Sequence, residues 1–187
     1  MDMKKLEEMT LEELWQLFPI QLTEHQDRWA DDYAQEAEFL RRALPRDAVA
    51  GLHHIGSTAI RGIWAKPIVD ILLEVAPPHS LSEIRDMLTG LGYRQMSEDE
   101  NRISLNKGYT ESGFAERVFH LHLRRPGDCD ELYFRDYMNA HPALAKEYEA
   151  LKLSLWKRYE HDRDGYTDAK TEFITKHTQD AKRLYPR

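Results

Sequence analysis

Apolar residues recur at helical spacing at both ends of this sequence and at strand spacing in its middle. Leu11, Leu14, Trp15 and Phe18 fall on one helix face before Pro19, and Trp29, Tyr33, Ala37 and Leu40 do the same before Pro45. Thr10 with Glu13, and Thr23 with Gln26, have capping-box spacing, in which a hydroxyl and a side-chain carbonyl satisfy the free amides of a helix start. Two N-terminal helices are therefore predicted within about residues 10–44, each with an aromatic stripe that belongs in a core.

After Pro45 the pattern changes to short apolar runs bounded by glycine and proline, which at this length indicate strands. Val49 to Ile55, Ile68 to Val75, Arg102 to Asn106 and Arg117 to Arg124 read as strands, with a weaker one near Tyr93. Ser80 and Glu83 cap a helix whose Leu81, Ile84, Leu88 and Leu91 share the face that covers the sheet. From Asp130 the period is helical again. Pro142 suits a first turn, and Leu144, Tyr148, Leu151, Leu155 and Tyr159 form a stripe. A polar turn from His161 to Thr167 precedes a last helix carrying Phe173, His177 and Leu184. The expected class is α+β, as a single domain over residues 1–187. A mixed sheet core at about 48–125 carries helices on one face, and the C-terminal part at about 130–185 is helical.

Successive strand side chains point to opposite sheet faces, so Ile71, Leu73 and Val75 pack under helices while Asp70, Leu72 and Glu74 share the other face. By the same alternation His120, His122 and Arg124 face outward opposite Leu121 and Leu123, and Arg102, Ser104 and Asn106 do so opposite Ile103 and Leu105. The solvated side of a half-covered antiparallel sheet would show this alternation without any function. Such faces carry mostly Lys, Glu and Thr, however, whereas His120 and His122 set two imidazoles side by side. Neutral imidazole ligates zinc, manganese or iron, and Asp70 or Glu74 would have to complete that site.

A second candidate is His54-Ile55-Gly56-Ser57-Thr58-Ala59, where a strand ends in Gly-Ser. A short helix beginning near Thr58 would aim free amides and hydroxyls at an anion, although a plain strand-to-helix turn has the same sequence pattern. Neither G-x-x-x-x-G-K-[ST] nor G-x-G-x-x-G occurs, which disfavours a kinase-type or dinucleotide site. Lys66, before Pro67, stands at the mouth of the next strand, where the plain reading is an edge charge.

Composition narrows the partners. The 187 residues include 33 Asp plus Glu against 26 Lys plus Arg, and a net charge of −7 opposes nonspecific contact with nucleic acid or anionic lipid. The lone Cys129 forms no internal disulfide and suits a reducing compartment. The start MDMKKLEEMTLEELW lacks an apolar signal core, and no stretch approaches the roughly 20 apolar residues that span a bilayer. A soluble, cytoplasmic protein with no membrane partner is expected.

The run His54-Ile-Gly-Ser-Thr-Ala-Ile-Arg-Gly-Ile-Trp-Ala-Lys-Pro-Ile-Val-Asp-Ile-Leu resembles the signature of the GrpB family. The likeness continues through Lys107-Gly-Tyr-Thr, Phe119-His-Leu-His-Leu, Tyr133-Phe-Arg-Asp-Tyr-Met and Tyr166-Thr-Asp-Ala-Lys, covering nearly all the chain from about Leu11. This resemblance implies a nucleotidyltransferase-like fold. In active nucleotidyltransferases the Gly-Ser loop holds a nucleoside triphosphate, and two carboxylates spaced i, i+2, plus a third nearby, hold two magnesium ions. Gly56 and Ser57 match the loop and Asp70 the first carboxylate, but residue 72 is leucine where the second belongs. Glu74 lies four residues from Asp70 along the strand, roughly 13 Å at about 3.3 Å per residue, and His120 and His122 stand where a third carboxylate would.

Two functions follow as expectations. The first is metal-dependent nucleotidyl or phosphoryl transfer to a small molecule. Asp70, His120 and His122 would be its catalytic groups and ligands of a divalent Mg, Mn or Zn ion. His54, Gly56, Ser57, Thr58, Lys66, Lys107 and Arg124 would bind the phosphorylated substrate. The second is a non-catalytic module that binds a nucleotide or phosphorylated metabolite, which Leu72 favours. Arg135 and Asp136 read as a helix-packing ion pair, and the long helical stripes leave room for a homodimer.

Overall fold

Five strands form one sheet in the order β1-β2-β5-β4-β3, in a computed structural model that describes residues 4–185. They are β1 (Val49–Ile55), β2 (Val69–Val75), β3 (Arg94–Glu98), β4 (Ile103–Thr110) and β5 (Gly113–Arg124). Only β2 and β5 pair in parallel; β1 with β2, β5 with β4, and β4 with β3 are antiparallel. The sheet is thus mixed, as the short apolar runs predict. β4 and β5 extend beyond the predicted strands and meet in a hairpin through Glu111 and Ser112.

Helices α2 (Arg28–Ala43) and α3 (Leu81–Gly90) pack on one face. Trp29, Ala37 and Leu40 of α2 and Leu81, Ile84 and Leu88 of α3 close over Ile71, Leu73, Val75, Leu121 and Leu123, all buried. The alternation of β2 and β5 requires this: the odd-numbered residues from Val69 to Val75 and from Phe119 to Leu123 are apolar and need cover. Within that layer Glu36 is buried but paired, since Tyr93 donates its hydroxyl hydrogen and Lys107 an ammonium hydrogen to Glu36 Oε1, both at 2.7 Å. Ser80 caps α3 by accepting from the Glu83 amide. Thr10 and Glu13 form a reciprocal capping box at the start of α1 (Leu11–Leu17), where Phe18 is buried and Leu11 is exposed.

Two expected boundaries shift. Thr23 and Gln26 do not cap a helix: the Thr23 amide and carbonyl are spent on a two-way bridge with Ala65, and α2 starts later, with Asp27 as its flanking residue. The polar turn after the helix that ends at Trp156 is shorter than His161 to Thr167. The Asp162 side chain accepts from the Gly165 amide at 2.8 Å, so α6 (Arg163–Leu184) already begins there.

The C-terminal helices α4 (Asp130–Ala140), α5 (Pro142–Trp156) and α6 lie on the other, polar side of the sheet. α4 packs against it through Leu132 on Leu72 and Ile55, and Arg135 donates to the His54 carbonyl at 2.8 Å while also pairing with Asp136. Their apolar stripes bury Phe134, Met138, Ala145 and Tyr148 together with Ile60 and Ile63 of the segment between β1 and β2. Among the described residues no helix is long and apolar enough to cross a membrane.

A bulge interrupts the β4 ladder between Lys107 and Tyr109, and Gly108 there has φ +94°. Without it Lys107 and Tyr109 would share a face; with it Lys107 stays under α2 and Tyr109 turns to the polar side. A Cβ on Gly108 would lie 2.3 Å from the Arg117 carbonyl oxygen. Gly108→Ala is therefore expected to cost roughly 2–4 kcal/mol in a denaturant titration, from backbone strain plus the clash. An unchanged midpoint would mean that the bulge is not under this constraint.

Candidate functional site

The parallel register of β2 and β5 builds the centre of the polar face. Asp70 stands opposite His120 and Leu72 opposite His122, so one carboxylate and two imidazoles project together. Asp70 Oδ1 lies 3.2 Å from His122 Nε2 and 3.4 Å from His120 Nδ1. The outer ring nitrogens also have partners: His120 Nε2 is 2.9 Å from the Tyr109 hydroxyl, which accepts from Arg163, and His122 Nδ1 is 3.4 Å from Ser104 Oγ. Burial opposes ionisation of Asp70, but hydrogen bonds and charge from the two histidines outweigh it and hold the carboxyl well below its usual range. Burial pushes His120 down against the pull of Asp70.

The Gly-Ser loop is held against this carboxylate. Gly56 has φ +71°, and a Cβ there would stand 2.4 Å from Asp70 Oδ2, so only glycine lets the backbone approach so closely. His54 and Thr58 fix the loop from the opposite side. Thr58 donates its hydroxyl hydrogen to the Ile68 carbonyl and takes the His54 Nε2 hydrogen at 2.9 Å, while the His54 ring stacks on Tyr33. Burial lowers His54 to about 4 and keeps it neutral. The segment beyond is clamped through its backbone by the C-terminal helices. Asn139 bridges Ala59 and Arg61, Glu149 accepts from the Trp64 amide, and Lys152 donates to the Trp64 carbonyl.

Between the sheet and these helices lies a cavity of about 1340 Å³. Its wall includes Gly56, Ser57, Asp70, His120 and His122 on one side, and Tyr148, Lys152, Arg163, Tyr166 and Lys170 on the other. Lys66 joins them from the loop. Lys66 and Lys170 lie over the Tyr166 ring, 5.6 and 4.1 Å from its centroid, and no carboxylate pairs with either among the described residues. Burial, reinforced by neighbouring cations, lowers Lys66 and Lys152 to about 7; burial lowers Lys170 to about 8, although Asp70 attracts it. Among the described residues the Tyr166 hydroxyl and the Asn106 side-chain oxygen are buried without partners.

The structure thus gathers Gly56, Ser57, Lys66, Asp70, His120 and His122 around one cavity, with Arg124 at its margin. Arg124 is buried and already lies near Asp128 and Glu131. His54 and Thr58 support the loop from behind, and Lys107 points to the opposite sheet face, bound to Glu36. Glu74 is likewise engaged elsewhere, with His53 at 3.0 Å and the Gly127 amide at 3.2 Å. Sequence reading did not place Lys152, Arg163, Lys170 or Tyr109 at the site. One signal existed: Lys152 follows Tyr148 by one helical turn on the stripe of α5, an unusual place for a lysine.

A pair of magnesium ions does not fit these donors. Leu72, fully buried against Ile55 and Leu132, occupies the second carboxylate's position, and magnesium favours oxygen ligands over imidazole. Asp70, His120 and His122 do offer one ligand atom each within 4.8 Å of one another, a set that suits a single ion.

Known proteins share this arrangement of elements. The model of the GrpB protein family matches residues 19–180. A UPF0157 protein of Pseudomonas aeruginosa is 38% identical over 151 residues, 79% of this chain and 62% of that protein. The UPF0157 protein YqkA of Bacillus subtilis is 32% identical over 91% of this chain, which spans only 50% of it. The chain is thus shorter than either relative, spanning less than two thirds of each. The crystal structure of GrpB from Enterococcus faecalis superimposes with a TM-score of 0.77 at 29% identity, covering 89% of this chain and all of that one. At 11% identity and a TM-score of 0.50, the Cid1 poly(U) polymerase shares the fold over 70% of this chain and 45% of its own. The chain belongs to the GrpB family, on a nucleotidyltransferase-like fold.

Proposed function

We propose that this protein binds a phosphorylated small molecule, of the nucleotide class, in the cavity between its sheet and its C-terminal helices. The observation that carries this reading is the cationic wall. Lys66, Lys152, Lys170 and Arg163 converge from the loop, α5 and α6 onto the side facing Gly56 and Ser57, and among the described residues Lys66 and Lys170 lack a carboxylate partner. Unpaired cations in a half-buried cavity are costly, and a bound polyphosphate would repay that cost through charge-assisted hydrogen bonds. A second reading, metal-dependent nucleotidyl or phosphoryl transfer, has one observation in its favour: Asp70 with His120 and His122 lies directly beside the loop. Leu72 weighs against transfer by a two-ion mechanism.

The reading predicts a pH dependence of definite sign. An anion binds the protonated lysines and raises their pKa, so affinity is full below about 7 and falls as pH rises through the free values near 7 and 8. Burial sets those values first; among the charged groups Lys170, Arg163 and Lys66 lower them and Asp70 and Glu149 raise them. The phosphate's own second ionisation, near about 6, is complete over most of this window. Calorimetric titration with ATP, and with pyrophosphate as a probe lacking the base, should show affinity at least tenfold weaker near pH 8.5 than near pH 6.5. Lys170→Met should lose most of the binding and flatten the slope. No saturable binding of either probe, or binding indifferent to Lys170→Met, overturns the reading.

A further inference from the structure

Three lone-pair atoms from two adjacent strands converge at the foot of the cavity. Asp70 Oδ1 faces His122 Nε2 at 3.2 Å and His120 Nδ1 at 3.4 Å. Both separations exceed the roughly 2.7–2.9 Å of a charge-assisted hydrogen bond. They also match the edge of a tetrahedron about an ion. Ligands at about 2.0–2.1 Å from a tetrahedral zinc lie roughly 3.3–3.4 Å apart.

The surroundings support the same conclusion. Metal-bound histidines are oriented by a hydrogen bond at their other nitrogen, and here the Tyr109 hydroxyl at 2.9 Å and Ser104 Oγ at 3.4 Å stand at those positions. Tyr109 is there because the Gly108 bulge turns it to this face, and Arg163 donates to its hydroxyl at 2.9 Å. Two imidazoles and one carboxylate are the donor set of a transition metal rather than of magnesium. Among the described residues a second ion has no ligands, since Leu72 fills one position with hydrocarbon and Glu74 is held by His53 and the Gly127 amide.

We propose that Asp70, His120 and His122 hold one divalent transition-metal ion, of the zinc class, in place of the magnesium pair of the fold's transferases. The remaining coordination positions open towards the cavity, where a water or a ligand oxygen would complete the shell. Although the site adjoins the proposed phosphate wall, its occupancy is measurable without any nucleotide, so the two readings fail separately.

The test is equilibrium titration of chelator-stripped full chain with Zn²⁺, repeated with Co²⁺ to read visible absorption from nitrogen ligation, and in competition with Mg²⁺. The expected result is one ion per chain that a thousandfold excess of Mg²⁺ does not displace. Asp70→Ala, His120→Ala and His122→Ala should each weaken it at least a hundredfold, with circular dichroism reporting whether they fold. Tyr109→Phe, which keeps the aromatic packing, should weaken binding about 10–100-fold without changing stoichiometry. No binding, two ions per chain, ready displacement by Mg²⁺, or affinity unchanged in the folded variants would each overturn the proposal.

Discussion

Alanine at position 56 is expected to lower the thermal midpoint by roughly 4–10 °C and to abolish both metal and phosphate binding. The Gly56 backbone sits at φ +71°, ψ −172°, a region that L-residues essentially do not enter, and forcing one there costs about 1–3 kcal/mol. The added Cβ would also stand 2.4 Å from Asp70 Oδ2 and 2.9 Å from Cγ. That carboxylate cannot yield without leaving His120 and His122, so the strain passes directly into the site. Gly62 provides the control. Its φ of +70° is nearly the same, but a Cβ there meets nothing within 4 Å. Gly62→Ala should therefore show the backbone cost alone and leave Zn²⁺ and ATP titrations unchanged. Equal effects of the two substitutions would refute the role assigned to the close approach at Gly56.

Restoring the missing carboxylate should damage the protein rather than complete a two-magnesium site. Leu72 is fully buried against Ile55 and Leu132, and Leu72→Asp replaces those contacts with a charge. Loss of the leucine packing alone is worth about 2–5 kcal/mol, and desolvation of the carboxylate adds to it. A midpoint at least about 10 °C lower at neutral pH is expected. Burial, with Asp70 on the same strand face, would raise the folded-state pKa of this aspartate above its unfolded value near about 3.9. The ionisation penalty is thus absent below about 3.9 and grows as pH rises through the folded value, so the deficit relative to the parent should be larger at neutral than at acid pH. Thermal melts across that range, with Mg²⁺ titrations alongside, check both parts. A stable variant that binds two magnesium ions would show instead that leucine alone stands between this chain and the usual chemistry of its fold.

Much of the fold is legible in the chain because strand alternation is local. The odd-numbered apolar positions Ile71, Leu73, Leu121 and Leu123 require that Asp70, His120 and His122 share the opposite face, whatever the rest of the molecule does. Gly-Ser after β1 is visible in the same way. Alternation also misleads where it is broken. Lys107 still follows Ile103 and Leu105 onto the helix-covered face, where its ammonium group meets buried Glu36, and only beyond it does the bulge at Gly108 reverse the parity for Tyr109. His54 belongs to the face under Tyr33, so it supports the loop rather than lining the cavity.

What the sequence by itself determined is the sheet, its two chemically different faces and the carboxylate with its histidine pair. Each depends on neighbours a few residues apart and on a two-residue period. Only the tertiary structure decided that the polar face is roofed by α4–α6 and that Lys66, Lys152, Arg163 and Lys170 meet there. Those cations are separated by up to about a hundred residues of chain, and no local period relates them. Helix packing driven by Phe134, Met138, Tyr148 and the rest of that apolar cluster brings them to one cavity.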